Sequence, residues 1–233
     1  MIATNLQSLR DRINEKCTAC NREPEEIKLI AVSKFFGIDA INEANSLGIT
    51  DFGENKAQEL RDKFELIGGK VTWHFIGTLQ RNKVKYAIKA SEFIHSVDSV
   101  QLAEEINKQA QKHDKIQKIL IEVKTSKEQS KAGIEEQNEI LKLSEFCNEK
   151  PNLKLIGLMT MAPLTDDKKK IRKSFSDLRK LKDKLNNQGF DLKELSMGMT
   201  NDFEIAIEEG STMLRIGSAI FGQRQYSKDW RQL

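Results

Sequence analysis

Residues 28–37 read KLIAVSKFFG, an almost unbroken apolar run that stops on a lysine, Lys34. A strand with one wet face alternates apolar and polar side chains, whereas a parallel strand covered on both faces reads as a continuous run. The run therefore predicts a parallel strand with helices packed outside it. Working outward, comparable runs recur as ITDFG from 49, VTWHFIG from 71, EFIHSV from 92, IQKILIEV from 116, LKLIGLM from 153, LKELSMG from 192 and STMLRIG from 211, eight in all. Helical patterns fill the intervals at 39–46, 56–67, 81–90, 100–113, 135–149 and 167–188, and Ile2, Leu6, Leu9 and Ile13 mark an amphipathic helix ahead of the first strand. Strands alternating with helices predict the α/β class and a closed (β/α)8 TIM barrel with an extra N-terminal helix. A doubly wound open sheet stays as the alternative, without the glycine-rich turn that would mark a dinucleotide site. The three prolines, at 24, 151 and 163, fall in connections and no Pro/Gly/Ser-rich linker divides the chain, so 1–233 is expected to form one domain.

Composition narrows the function classes. Hydrophobic residues at 38% and charged ones at 31% describe a well-solvated globular protein rather than a disordered one. A formal charge of +3 is too small to argue for nucleic acid or an anionic membrane as partner. The opening MIATNLQSLRDR lacks a secretory leader's basic start and apolar core, and the longest nearly apolar stretch, at 155–164, is about half of the roughly 20 residues a bilayer span needs. A cytoplasmic location is expected. Cys17 and Cys20 form CTAC on the first helical pattern and Cys147 stands alone; no second ligand pair follows, so no metal site is expected. The lysine-rich DDKKKIRKSF run, with its aspartates first, reads as a solvated helix start.

In a parallel barrel, chemistry gathers at the carboxyl ends of the strands. Those ends carry Lys34, Asn55, His74, His95, Met159, Thr160, the 196–200 stretch, Arg215, Gly217 and Ser218. The loops after strands 7 and 8, a frequent phosphate site in this architecture, hold SMGMT and GS, with Thr200 placed to cap a helix ending near Gly210. Ordinary turn chemistry is the competing reading. A lysine at the end of a buried strand is partly desolvated, which lowers its pKa and frees an amine able to form Schiff bases; a snorkelling lysine is the plainer reading. An aldehyde bearing a phosphate would satisfy both ends of the mouth, and pyridoxal 5'-phosphate (PLP) is such a molecule.

LIAVSK (29–34), FGENKAQEL (52–60), WHFIGTLQRNK (73–83), IHSVDS (94–99), SKAGI (130–134), LIGLMTMAP (155–163) and LSMGMTNDFEIAIEEGSTMLRIGSAIFG (195–222) together resemble the YggS, or PROSC, family of pyridoxal phosphate homeostasis proteins, nearly end to end. The resemblance implies the barrel of the alanine racemase N-terminal domain, the fold-type III arrangement of PLP enzymes. It places the cofactor on Lys34, the phosphate among Ser196, Met197, Thr200, Gly217 and Ser218, the pyridine nitrogen at Arg215, and Asn55 and His74 around the ring. Lys131 falls in the loop after the fifth strand. The chain departs from the family pattern at Phe35, Phe36 and Gly37 after the lysine, at Lys124, and at Thr200, where serine is more usual.

A guanidinium at the pyridine nitrogen leaves that nitrogen unprotonated and weakens the ring as an electron sink. Racemisation needs a second acid/base opposite the lysine, a tyrosine from an added domain in the related racemases, and this chain has only Tyr86 and Tyr226. The expectation is a monomeric, non-catalytic protein that holds PLP and yields it to acceptor apoenzymes. A low-activity PLP-dependent amino-acid racemase and a cofactor-free Schiff-base aldolase are the alternatives.

Overall fold

The computed structural model describes residues 1–126, 132–222 and 230–232. Its strands are β1 (Lys28–Val32), β2 (Asp51–Glu54), β3 (Thr72–Phe75), β4 (Phe93–Val97), β5 (Gln117–Glu122), β6 (Leu153–Met159), β7 (Glu194–Ser196) and β8 (Met213–Ile216). All pair in parallel and in chain order, and β8 returns to β1 with Lys28 opposite Met213 and Ile30 opposite Arg215. The expected closed barrel is thus present, and closure leaves no sheet edge unpaired.

Around it lie α1 (Ile2–Ala19), α2 (Ile38–Ser46), α3 (Ala57–Ile67), α4 (Val84–Ala90), α5 (Val100–Lys112), α6 (Gln137–Asn148), α7 (Lys168–Asn186), α8 (Phe203–Glu208) and α9 (Ser218–Phe221). The extra N-terminal helix, α1, buries Ile2, Leu6, Leu9, Ile13 and Cys17. It is tied to α8 by Arg12–Glu204 at 2.8 Å and Lys16–Glu208 at 2.6 Å, and to the end of α9 by Asn5 Nδ2 donating to Ile220 O at 3.0 Å. CTAC is therefore part of this packing: Cys17 lies in the apolar stripe, Cys20 ends the helix, and both are free thiols. The DDKKK run behaves as read, with Asp167 Oδ1 accepting from Lys169 N–H at 3.0 Å at the start of α7. Among the described residues no helix is long and apolar enough to cross a membrane.

Both faces of each strand are buried, which is why KLIAV has no alternation. Ala31, Phe52, Trp73, Ile121 and Leu214 join the large core beneath the helices. Ile30, Phe93, Leu120, Met159 and Met213 form a separate, small interior cluster. That apolar plug leaves part of the barrel interior to polar side chains, and the buried Asp51, His74, His95, Ser196 and Arg215 occupy it.

Candidate functional site

Lys34 lies half-buried in a turn two residues past Val32, on the parity of Ile30 and Val32. The peptide units on both sides of it are clamped from behind. Lys63 Nζ donates to Ser33 O at 2.9 Å, to Glu54 Oε1 at 2.7 Å and to Glu59 Oε1 at 2.8 Å. Ser33 Oγ donates to Glu54 Oε1 at 2.7 Å, and Phe35 N–H donates to Glu59 Oε1 at 2.9 Å. Lys63 and Glu54 have no solvent exposure. Burial, reinforced by the like charge of Glu59 and opposed by Lys63, pushes the Glu54 carboxyl up to about 7. Phe35 adopts φ +71°, a left-handed conformation that costs an ordinary side chain roughly 1–2 kcal/mol and persists where surrounding bonds enforce it. The departures from the family pattern are accommodated here: Phe36 stacks on Phe221 with ring centroids 4.8 Å apart, and Gly37 begins α2.

Inside the barrel, Arg215 Nη1 donates to Ser196 Oγ at 2.6 Å and Nη2 to Thr160 O at 2.9 Å. Ser196 Oγ is 2.8 Å from His95 Nδ1, His95 Nε2 is 2.9 Å from His74 Nδ1, and His74 Nε2 is 2.8 Å from Asp51 Oδ1. The His74 ring is also stacked on Phe93, centroids 4.4 Å apart. Burial lowers the pKa of both histidines, with the neighbouring His74 and Arg215 charges adding to the effect at His95. Burial also lowers Arg215, to about 10, so it stays a cation at neutral pH. Glu122, at the end of β5, is pushed up to about 7 by burial and by Asp98, against the pull of Arg215.

These shifts oppose one another in the stability of the protein. Below about 6.5 the unfolded chain protonates both histidines while burial disfavours their protonation in the folded barrel, so each removes stability as pH falls. Glu54 and Glu122 act with the opposite sign: folded, they hold protons that the unfolded chain releases from about 4.5 upward, so their contribution is lost as pH rises toward 7. Between about pH 5 and 6.5 the two histidines and the two carboxyls therefore pull stability in opposite directions. Glu122→Gln removes one opposing group, so denaturant melts of that variant should lose more stability on acidification through the same window than those of the wild type.

The loops after β7 and β8 meet at the mouth, where Ser218 Oγ donates to Thr200 Oγ1 at 3.1 Å. Thr200 is not the helix cap expected of it. The N-cap of α8 is Asp202, because the 199–202 segment closes first into a turn in which Met199 N–H donates to Asp202 Oδ1 at 2.5 Å. That frees the Thr200 hydroxyl to face Ser218. Gly217 begins α9 beside them. Gly198 has φ +96°, and a Cβ there would stand 2.6 Å from Ala206 Cβ and 2.8 Å from Leu214 Cδ2. Gly198→Ala should therefore cost on the order of 2–3 kcal/mol in urea melts, from backbone strain and overpacking together.

Compared with known proteins, the chain matches the family model "Alanine racemase, N-terminal domain" over residues 4–225. It is 41% identical over 223 residues to the pyridoxal phosphate homeostasis protein of Aquifex aeolicus, covering 95% of this chain and 97% of that one. To the protein of the same name in Escherichia coli K12 it is 40% identical over 235 residues, covering 97% and 98%. The chain belongs to the pyridoxal phosphate homeostasis family. Among solved structures, PipY of Synechococcus elongatus with PLP bound superposes with TM-score 0.84 at 33% identity, covering 95% of this chain and all of that one.

For a member of this family, the mouth offers the donors and acceptors that PLP requires. Arg215 is a buried guanidinium whose hydrogen bonds go to two neutral oxygens, Ser196 Oγ and Thr160 O, so further cationic N–H groups can meet a ring nitrogen. Asn55 Oδ1 is a buried acceptor without a partner among the described residues, and Gly77 packs so close that a Cβ there would lie 2.3 Å from Asn55 O. Thr200 and Ser218 bring hydroxyls together on the loop side.

Three of the expected residues are fully buried. Ser196 turns its hydroxyl inward to Arg215 and His95 rather than to the loops. Met197 is buried in the helix-facing core, its N–H donating to Met213 O at 3.1 Å. His74 lies in the interior chain, fully buried. Lys131 and Tyr226 lie outside the described residues. The sequence reading passed over Asp51, Glu122, Glu54 and Lys63, and left His95 out of the site. Asp51 and Glu122 carried a detectable signal: each is a carboxylate abutting apolar strand residues, Asp51 at the start of DFGE and Glu122 at the end of QKILIE.

Proposed function

We propose that the protein holds PLP at the carboxyl end of the barrel through a Schiff base with Lys34 and yields it to acceptor apoenzymes, acting as a cytoplasmic monomer whose single barrel carries the whole site. It is a PLP-binding protein of vitamin B6 homeostasis. PLP supplies an aldehyde that condenses reversibly with amines and a phosphate tail that can be gripped apart from it. The observation that carries the reading is Arg215, a buried cation held by Ser196 Oγ and Thr160 O with donor capacity left for a ligand.

Each residue has a task in this reading. Lys34 contributes the amine, and the Lys63 network holds the backbone around it. Arg215 donates to the ring nitrogen and so keeps it unprotonated. Asn55 accepts from or packs against the ring's edge, while Thr200, Ser218 and Gly217 take the phosphate; Met197 and His74 support from behind. Of the two tyrosines, Tyr86 sits on α4 with its ring against Arg61 and Lys85, 5.0 Å from each.

An absorbance titration with PLP, followed by borohydride reduction and peptide mapping, tests the assignment. One reduced adduct at Lys34 is expected. Reduction at another lysine, or colourless protein that takes up no PLP, would overturn it. Measuring α-proton exchange on several amino acids in D2O distinguishes a carrier, which gives none, from a weak racemase.

A further inference from the structure

Arg215, Ser196, His95, His74 and Asp51 form a hydrogen-bonded chain through the barrel, and with neutral rings and an ionised Asp51 its protons have one arrangement. Arginine has no acceptor, so Arg215 donates to Ser196 Oγ at 2.6 Å. Ser196 therefore receives that proton and directs its own O–H to His95 Nδ1, 2.8 Å away. A neutral imidazole that accepts at Nδ1 carries its proton at Nε2, which donates to His74 Nδ1 at 2.9 Å. His74 repeats the pattern, and its Nε2–H donates to Asp51 Oδ1 at 2.8 Å. Asp51 only accepts, and Lys28 Nζ, 3.3 Å from it at the amino-terminal rim of the barrel, supplies the balancing charge. Reversing the chain would set a histidine lone pair against the carboxylate. Protonating either ring would bury a second cation near Arg215.

We propose that His95, His74 and Asp51 are positioning residues for the cofactor: their one-way chain draws the Ser196 O–H to His95 Nδ1, which fixes the Ser196 lone pairs and, through them, the guanidinium of Arg215 toward the PLP ring nitrogen. The binding end of the barrel is thereby coupled to a carboxylate at the opposite rim. This deepens the PLP reading and rests on it. Other charges act on the chain as well. Asp202 and Glu122 act on Arg215, and Lys28 and Glu92 act on His74. Only Asp51, however, meets it through a hydrogen bond, so Asp51 sets its direction.

Ring 15N spectra of the PLP-free protein at pH 7 test the chain itself. Both His74 and His95 should be neutral with the proton on Nε2, exposed His113 being identified by His113→Gln. Either ring protonated on Nδ1, or on both nitrogens, overturns the proposal whatever the fate of PLP binding. Asp51→Asn should replace the single tautomer by a mixture, shift the absorption band of bound PLP and weaken PLP binding by about tenfold, the loss expected for a charge-assisted hydrogen bond. Asp51→Glu, which keeps an acceptor-only carboxylate, should restore the single tautomer and the band. An unchanged tautomer and band in Asp51→Asn would refute the coupling. Should Asp51→Asn fail to fold, the wild-type ring spectra still decide. A wild-type protein that takes up no PLP would instead remove the underlying reading and leave the spectra to judge the chain alone.

Discussion

Lys34→Ala should leave no PLP that borohydride can fix at the barrel mouth, the largest functional effect expected of any single substitution. Only an amine can condense with the aldehyde, and no conservative hydrogen bond replaces a covalent one. Arg215, Thr200 and Ser218 remain, so residual binding should persist as a reversible, non-reducible association that inorganic phosphate displaces. The fold should be nearly unaffected, because Lys34 is half-buried in a turn whose backbone is held by Lys63 at the Ser33 carbonyl and by Glu59 at the Phe35 N–H. Circular dichroism and urea melts check the fold, and reduction followed by mass spectrometry checks the adduct. A full yield of reduced adduct in Lys34→Ala would remove Lys34 from the site.

Lys63→Met should be the most damaging substitution for stability. Lys63 is wholly buried, and its ammonium bridges Glu54, Glu59 and the Ser33 carbonyl, with the Trp230 ring centroid 5.1 Å away. Removing it strands two carboxylates in the dry space between β2 and α3. Breaking a buried ion pair from one side costs roughly 3–5 kcal/mol, on the order of 10 °C in Tm for a chain of this size. Glu54→Gln should cost far less, because a carboxyl pushed up to about 7 already spends much of its time protonated near neutrality. In the double variant Lys63→Met with Glu54→Gln, one stranded charge is gone and part of the loss should return. Strict additivity of the two changes would show that the three side chains are not coupled. Loosening the turn should also slow Schiff-base formation at Lys34, since the same network holds the Ser33 and Phe35 peptides.

Parity explains which side chains stand out in the chain and which directions it hides. Lys34 was legible because a lysine closing KLIAV breaks a pattern that burial on both faces demands, and Arg215 stands out in MLRI for the same reason. The directions of Ser196 and Met197 could not be read from the chain, because adjacent strand residues face opposite ways, Ser196 into the barrel and Met197 into the helix-facing core. His74 and His95 look like mouth residues in a list of strand ends. How deep each lies depends on the stagger of the closed sheet, in which Gly53 pairs His74 and His74 pairs Phe93.

The sequence by itself determined the barrel and the family, and it singled out Lys34 and the 195–222 segment as the two poles of the proposed site, because strand periodicity and local turn chemistry act over neighbouring residues. Only the tertiary structure decided that Asp51, His74, His95, Ser196 and Arg215 share one line of hydrogen bonds and that Lys63 underlies Lys34. Those contacts join residues up to 101 apart along the chain, and they exist only after the barrel has closed, when buried polar groups must find partners among one another because water cannot reach them.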